Sequence, residues 1–264
     1  MISVDYLCKT GNNLFQYAFG RILSEEMNYK LVFNKNYEFD SRKPTIIFNP
    51  LNEFKNAVEI DGDINKNMIF VTNDSFGYDI NNLIKLKKGI HAHGWFQRTQ
   101  YYINHLDKIK DWFYLDPHVN NYNINKNDIV LCVRRGDHRG TIHCIDMEYY
   151  HRILDNIKYD RLFVCGDEYD EEVKKSLEKY NPIYYREDRS FIPLNKNTYL
   201  DDFKFIKSFN RIIIANSTYF WWAAVLSNAD EIYCPNTTNP KAFFNEDQSL
   251  FMPNFIIVDN VKTN

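Results

Sequence analysis

The sequence has no apolar run long enough to cross a bilayer, which excludes a membrane-spanning helix. Met1 leads into Ile2-Ser3-Val4-Asp5-Tyr6 with neither a basic leader nor a long apolar segment, so no signal peptide is expected. Cysteine is sparse. The five, Cys8, Cys132, Cys144, Cys165 and Cys234, are odd in number and form no C-x-x-C. A disulfide framework and a zinc knuckle are therefore not expected. A reduced, cytoplasmic setting fits this usage, with peripheral attachment to a membrane left open. An excess of positive charge is also missing: the formal net charge is −3. A nucleic-acid partner held by a general basic field is excluded on that ground. There is no Walker A sequence, no G-x-G-x-x-G and no G-x-S-x-G. This counts against a P-loop NTPase, a dinucleotide oxidoreductase and an α/β-hydrolase.

What is present is the composition of a folded globular chain, 44% hydrophobic and 25% charged. Its 264 residues suffice for one large domain or two compact ones. The aromatic share of 16% is high, enough to fill a core and to offer flat platforms to sugars or bases.

The spacing of Leu14, Phe15, Ala18, Phe19, Ile22 and Leu23 predicts a helix over 11–27, followed by a strand at 30–33. A second helix is expected over 99–112. The Asn-rich stretch 118–128 is the best linker. Beyond it, apolar strands at 129–133, 161–165, 182–185, 211–215 and 231–234 alternate with helices at 147–158, 171–180, 200–208 and 218–227. Short continuous apolar strands between helices imply a doubly wound parallel sheet. The expected architecture is α/β, with two Rossmann-like domains facing a cleft, residues 1–122 and 123–264. The C-terminal tail can pack back on the first domain.

In an open parallel sheet, ligands bind beyond the carboxyl ends of the strands. That rule selects Arg134-Arg135-Gly136-Asp137-His138, Gly166-Asp167-Glu168, Asn216-Ser217-Thr218 and the loop 8–13. Adjacent arginines offer forked donors suited to phosphate. Asn216, Ser217 and Thr218 open a helix, whose free N–H groups also seat an anion. Together they imply a diphosphate-bearing ligand, although a surface ion pair and a plain N-cap would use the same residues.

These segments resemble the α-1,2-fucosyltransferase family, glycosyltransferase family 11. Gly11-Asn12-Asn13-Leu14-Phe15-Gln16-Tyr17-Ala18 resembles G-N-Q-M-F-Q-Y-A, and Gly94-Trp95-Phe96-Gln97 resembles G-Y-F-Q. Arg134-Arg135-Gly136-Asp137 is similar to the end of H-x-R-R-x-D, and Gly166-Asp167-Glu168 to S-D-D. Ile213-Ile214-Ala215-Asn216-Ser217-Thr218 with Trp221-Trp222 resembles I-I-A-N-S-S-F-S-W-W. The resemblance implies a GT-B-like fold and an inverting, metal-independent transfer of L-fucose from GDP-fucose, with no further cofactor. The implied acceptor is a galactose-containing glycan, fucosylated in α-1,2 linkage. It assigns the donor diphosphate to Arg134, with Arg135, Asn216, Ser217 and Thr218 beside it. The guanine edge falls to Asp202, and loop closure over the donor to Asn12 and Asn13. Asp137 and His138 are the available proton acceptors near Arg134. Transfer of another GDP-sugar, and non-catalytic binding of a nucleotide sugar or glycan, are the alternatives.

The chain departs from the family pattern in three places. Cys132 stands where the family has histidine, Cys8-Lys9-Thr10-Gly11 lacks the usual extra glycines, and Gly166 replaces serine. Three further motifs are read as structural. Arg135-Gly136-Asp137 spells an adhesion tripeptide but directly follows an apolar strand. Asp61-Gly62-Asp63 resembles a metal-binding D-x-D but reads as a solvated turn. His91 and His93 alternate on an expected strand and lack an evident third metal ligand.

Overall fold

A computed structural model describes residues 1–34, 54, 56, 60–62, 67–73, 75–116, 122–186, 196–237 and 250–260. The chain divides into two compact units, Met1–Leu115 and Asp116–Asn264. Of the expected linker, residues 118–121 lie outside the described residues.

The first unit is built on β1 (Ile2–Val4), β2 (Leu31–Asn34), β3 (Ile60–Gly62), β4 (Ile69–Val71) and β5 (Ile90–Ala92), in the order β3-β2-β1-β5-β4. Every pairing is parallel. Helix α1 (Thr10–Met27) follows β1 and is buried almost continuously from Gly11 to Ser24. It lies so close to the sheet that a Cβ at Gly20 would sit 2.3 Å from Val4 Cγ2. Only glycine permits that approach. The helix stops at Asn28, which takes the left-handed conformation (φ 53°) while the Tyr29 N–H donates back to Ser24 O at 2.8 Å. Asparagine tolerates that conformation better than most side chains. Helix α2 (Ile80–Leu86) is capped by Asp79, whose carboxylate accepts from Asn81 N at 2.9 Å.

The helix expected over 99–112 is interrupted. Two 3₁₀ turns, Thr99–Tyr101 and Ile103–His105, precede α3 (Leu106–Trp112). The physical cause lies in two consecutive tyrosines that both turn inward. Tyr101 sits edge-on to Phe19 at 5.5 Å, and the Tyr102 hydroxyl donates to Phe96 O at 2.6 Å.

The second unit carries β6 (Ile129–Val133), β7 (Leu162–Gly166), β8 (Ile183–Tyr184), β9 (Arg211–Ile213), β10 (Glu231–Thr237) and β11 (Phe255–Asn260). Their order is β11-β10-β9-β6-β7-β8, all parallel. Strands β6 and β7 are buried at every residue, as a sheet covered on both faces requires. The helices are α4 (Met147–Leu154), α5 (Glu171–Leu177), α6 (Lys196–Lys207) and α7 (Thr218–Val225). Helix α4 ends four residues before the expected 158, and α5 gives way to a 3₁₀ turn at Glu178–Tyr180. Strand β11 was not expected, although Phe255-Ile256-Ile257-Val258 carries the apolar run of a strand. It pairs with β10 inside the second unit, and residues 261–264 lie outside the described residues. The two successive parallel-sheet α/β units are what the expected Rossmann-like architecture requires of each half.

Candidate active site

Strand β6 sits between β7 and β9, with Val133 level with Gly166 and Leu131 level with Ile213. The loops that follow these strands therefore leave the same edge of the sheet. The first carries Arg134 and Arg135, which part company at once. Arg134 stays partly open to solvent, its Nη1 2.8 Å from Asp167 Oδ2 and its Nη2 donating to Asp137 Oδ1. The Asp137 carboxylate thus accepts from Arg134 within its own loop. Arg135 turns inward and is 5% exposed. Its guanidinium donates to Cys144 Sγ at 3.0 Å and reaches Glu172 Oε1 at 3.4 Å. Its backbone N–H donates to Asp167 Oδ1 at 2.8 Å, so Asp167 clamps both arginines of the loop.

Gly166, where the family has serine, has a local cause. A Cβ there would stand 2.5 Å from Val133 O, within the space of the neighbouring strand's backbone. Asp167, one residue on, joins this cluster through its contacts with both arginines, and in the sequence it stands only as the middle of Gly166-Asp167-Glu168. The available signal was its position at the end of a buried strand.

His138 lies in a 3₁₀ turn, Gly136–His138, with its ring 5.5 Å from that of His143. Burial, then the charge of Arg134, lowers its pKa from the usual 6.5 to about 4. It is neutral at neutral pH. His143, lowered chiefly by burial, accepts at its backbone carbonyl a bond of 3.3 Å from Asn216 Nδ2. That bond ties the loop after β6 to the loop after β9. Asn216 is fully buried, and its Oδ1 has no hydrogen-bond partner among the described residues. Such an orphaned acceptor is costly unless something donates to it. Ser217 is the N-cap of α7 yet makes no capping bond through its side chain. The first N–H groups of α7 take no help from it, and the positive end of the helix dipole points out of the sheet edge there. Thr218 is the first residue of that helix and is buried.

Asp202 lies on α6, 7% exposed, with Arg186 Nε 3.9 Å from its Oδ1. It is close enough to Cys132 that its charge, after burial itself, raises the thiol's pKa. Cys132 is fully buried on β6.

Asn12 and Asn13 belong to the first unit, at the start of α1. Asn12 Oδ1 accepts from Gln97 Nε2 at 2.8 Å. Asn13 is fully buried; its Nδ2 donates to Leu7 O and to Gln16 Oε1, both at 3.0 Å. Gln16 in turn accepts from Leu7 N at 2.9 Å and donates to Gly94 O at 2.9 Å. The motif residues of α1 thus hold the loop after β1 and the Gly94-Trp95-Phe96-Gln97 segment in one amide network. In that loop Cys8 adopts φ 63°, the left-handed region where glycine is favoured.

Of the Asp61-Gly62-Asp63 motif, Asp63 lies outside the described residues. Among the described residues, no group of three or more histidine, cysteine or acidic side chains could hold a metal ion. No described helix is long and apolar enough to cross a membrane.

The O-antigen biosynthesis glycosyltransferase WbnK of Escherichia coli is 27% identical, across 84% of this chain and 88% of that protein. Among solved structures, the fucosyltransferase NodZ from Bradyrhizobium is similar at 11% identity and a TM-score of 0.44, covering 88% of this chain and 94% of that one. A variant of Arabidopsis thaliana FUT1 in complex with GDP is similar at 11% identity and a TM-score of 0.48, covering 94% of this chain and 72% of that one. Residues 75–259 match the model of glycosyl transferase family 11. That span holds Gly94-Trp95-Phe96-Gln97 and all three loops at the carboxyl edge of the second sheet. The chain belongs to glycosyl transferase family 11.

Proposed function

We propose that this glycosyltransferase moves L-fucose from GDP-fucose to a hydroxyl of a galactose-containing glycan, with inversion, in α-1,2 linkage and without a metal. The observation that carries the reading is the pairing at one sheet edge of a forked cation, Arg134, with a helix start whose N-cap side chain makes no capping bond. Both recognise phosphate. Asp137 is 53% exposed, and an exposed ion pair is weak enough to be exchanged for a diphosphate. Asp167, the less exposed partner, stays to hold the fork in place.

As the glycosidic bond breaks, negative charge grows on the leaving β-phosphate. Arg134 and the first N–H groups of α7 stabilise it where it develops. Asn216 Oδ1 accepts from a donor hydroxyl, which removes the cost of its orphaned state. Ser217 and Thr218 line the same helix start. His138, neutral at neutral pH, flanks the leaving group without adding charge, and the diphosphate takes the place of Asp137 on Arg134. Arg135 acts from inside, through the bonds that fix its loop. Asp202 accepts from the guanine edge, while Asn12 and Asn13 order the loop of the first unit that covers the donor.

The test is incubation of the full chain with GDP-fucose and lactose in excess EDTA, followed by NMR of the product. An α-1,2-fucosylated galactose is expected. Activity lost in EDTA and restored by Mg²⁺ or Mn²⁺ would contradict the metal-free reading. A product from another GDP-sugar alone would replace fucose.

A further inference from the structure

A carboxylate can serve the N1–H and 2-amino donors of guanine, but the O6 beside them is an acceptor and needs a donor. Asp202 cannot supply one. Cys132, whose thiol lies close to Asp202, is fully buried and is at best a weak donor.

The chain that leaves β8 brings a stronger one. Tyr184, the last residue of β8, is level with Val164 of β7, so the chain emerges at the carboxyl edge of the second sheet. Tyr185 is tied down there from three sides. Its N–H donates to Val164 O at 2.8 Å, and its carbonyl accepts from the Tyr169 hydroxyl at 2.7 Å. Its ring stacks on Phe205 of α6 at 3.7 Å, with an interplanar angle of 6°. Arg186 comes next, in the left-handed conformation at φ 58°. An arginine rarely takes that conformation, and it persists only where the surroundings fix it. Here the fixed Tyr185 precedes it and α6 receives its side chain. Nη2 donates to Asp201 Oδ2 at 2.8 Å, and Nε lies 3.9 Å from Asp202 Oδ1. Asp201 is the exposed partner of the two, so its bond to Arg186 is a weak one. A guanidinium has more N–H groups than this bond uses, and the Arg186 side chain remains 23% exposed.

The result is a cation and a buried carboxylate side by side, a donor next to an acceptor. That order matches the O6, N1–H and 2-amino edge of guanine. Against adenine it fails at both points: the 6-amino group would meet the guanidinium, donor to donor, and the N1 lone pair would meet the carboxylate, acceptor to acceptor.

We infer that Arg186 donates to O6 of the donor's base and, together with Asp202, makes the nucleotide site select guanine over adenine. The inference rests on the proposed GDP-sugar reading, in which Asp202 faces the guanine edge. Arg186 and Asp202 divide the edge between them, so each should control a different atom of the base.

Inosine diphosphate separates the two parts, because it keeps O6 and N1–H and lacks the 2-amino group. The experiment is calorimetric titration of the full chain with GDP, inosine diphosphate and ADP, repeated with Arg186→Ala, Arg186→Lys and Asp202→Asn. The parent should bind GDP most tightly and ADP least. In Arg186→Ala, GDP and inosine diphosphate should both weaken by about ten- to a hundredfold, with their ratio kept and ADP no weaker than before. Arg186→Lys should recover part of the loss, since an ammonium still donates to O6. Asp202→Asn should instead shrink the preference for GDP over inosine diphosphate. Unchanged affinities in Arg186→Ala, or an equal loss for all three nucleotides, would overturn the inference and leave Arg186 a structural partner of Asp201. A collapse of the ratio of GDP to inosine diphosphate in that variant would also overturn it, by showing that Arg186 acts only through Asp202. A parent chain that binds ADP as tightly as GDP would instead overturn the guanine reading beneath it.

Discussion

The two ends of the six-stranded sheet hold arginines in opposite states. At the amino end, Arg161 meets Asp128 in a fork, Nε to Oδ1 at 3.0 Å and Nη2 to Oδ2 at 2.5 Å. Its remaining donors go to the carbonyls of Tyr122 and Asn123 at 3.0 and 2.9 Å. Asp128 is fully buried, and its Oδ2 also accepts from Asn125 N at 2.8 Å. That end is closed. At the carboxyl end, Arg134 is held by two separate carboxylates, one of them mostly exposed, beside an orphaned Asn216 Oδ1 and a helix start without a side-chain cap. The same residue type thus serves the fold at one end and is left exchangeable at the other. Local satisfaction of hydrogen bonds, more than residue type, distinguishes a structural arginine from a ligand-binding one.

Substitution of Arg134 should give the largest effect. Arg134→Ala should abolish transfer and weaken GDP binding by roughly ten- to a hundredfold for each charge-assisted bond lost. The melting temperature should hardly move, which calorimetry and thermal scans of one preparation can check together. Lysine should rescue poorly, because it lacks the planar fork.

Asp202 sharpens the comparison at the base. Asp202→Asn keeps the size and removes one acceptor oxygen. GDP affinity should fall roughly ten- to a hundredfold while the weak binding of ADP stays as it was. Equal loss for both nucleotides would deny Asp202 a part in reading guanine.

The amino end should answer in the opposite currency. Asp128→Ala strands Arg161 and removes the acceptor for Asn125 N–H, so the melting temperature should drop by several degrees. Affinity for GDP, measured below the transition, should be that of the parent. A variant that lost GDP binding and kept its stability would erase the distinction between the two ends.

The smallest effect is on proton uptake. His138 should titrate at about 4 by NMR. An unfolded chain would bind that proton near the ordinary 6.5, so native stability should fall as pH drops from 6.5 towards 4 and level off below. Arg134→Gln should raise the His138 pKa only part of the way, since burial is the larger cause.

How much of this was legible in the sequence follows from how each element is stabilised. Strands β6 and β7 are continuous buried runs because both faces of the sheet are covered, and they could be read directly. So could α1, whose apolar positions recur with helical spacing. Strands β3 and β4 have three residues each, too few for any period to emerge. The break before α3 depends on Tyr101 and Tyr102 finding Phe19 and Phe96, contacts distant in sequence for the first of the pair. At the candidate site, the motif loops were visible, but the division of labour was not. Nothing in Arg134-Arg135 says that the second turns inward to Cys144 and Glu172. Nor does His91-Ala92-His93 announce its partner, because Asp5 lies 88 residues away from His93 and is joined to it only by the parallel pairing of β1 with β5.

The central claim is that Arg134 and the start of α7 hold the donor's diphosphate. Its most direct test is the dissociation constants of GDP and GMP for the parent chain and for Arg134→Ala. The parent should bind GDP much more tightly than GMP, and the alanine variant should lose most of that difference while still binding GMP as the parent does. A parent that binds the two nucleotides equally, or a variant that keeps the full preference for GDP, would contradict the account.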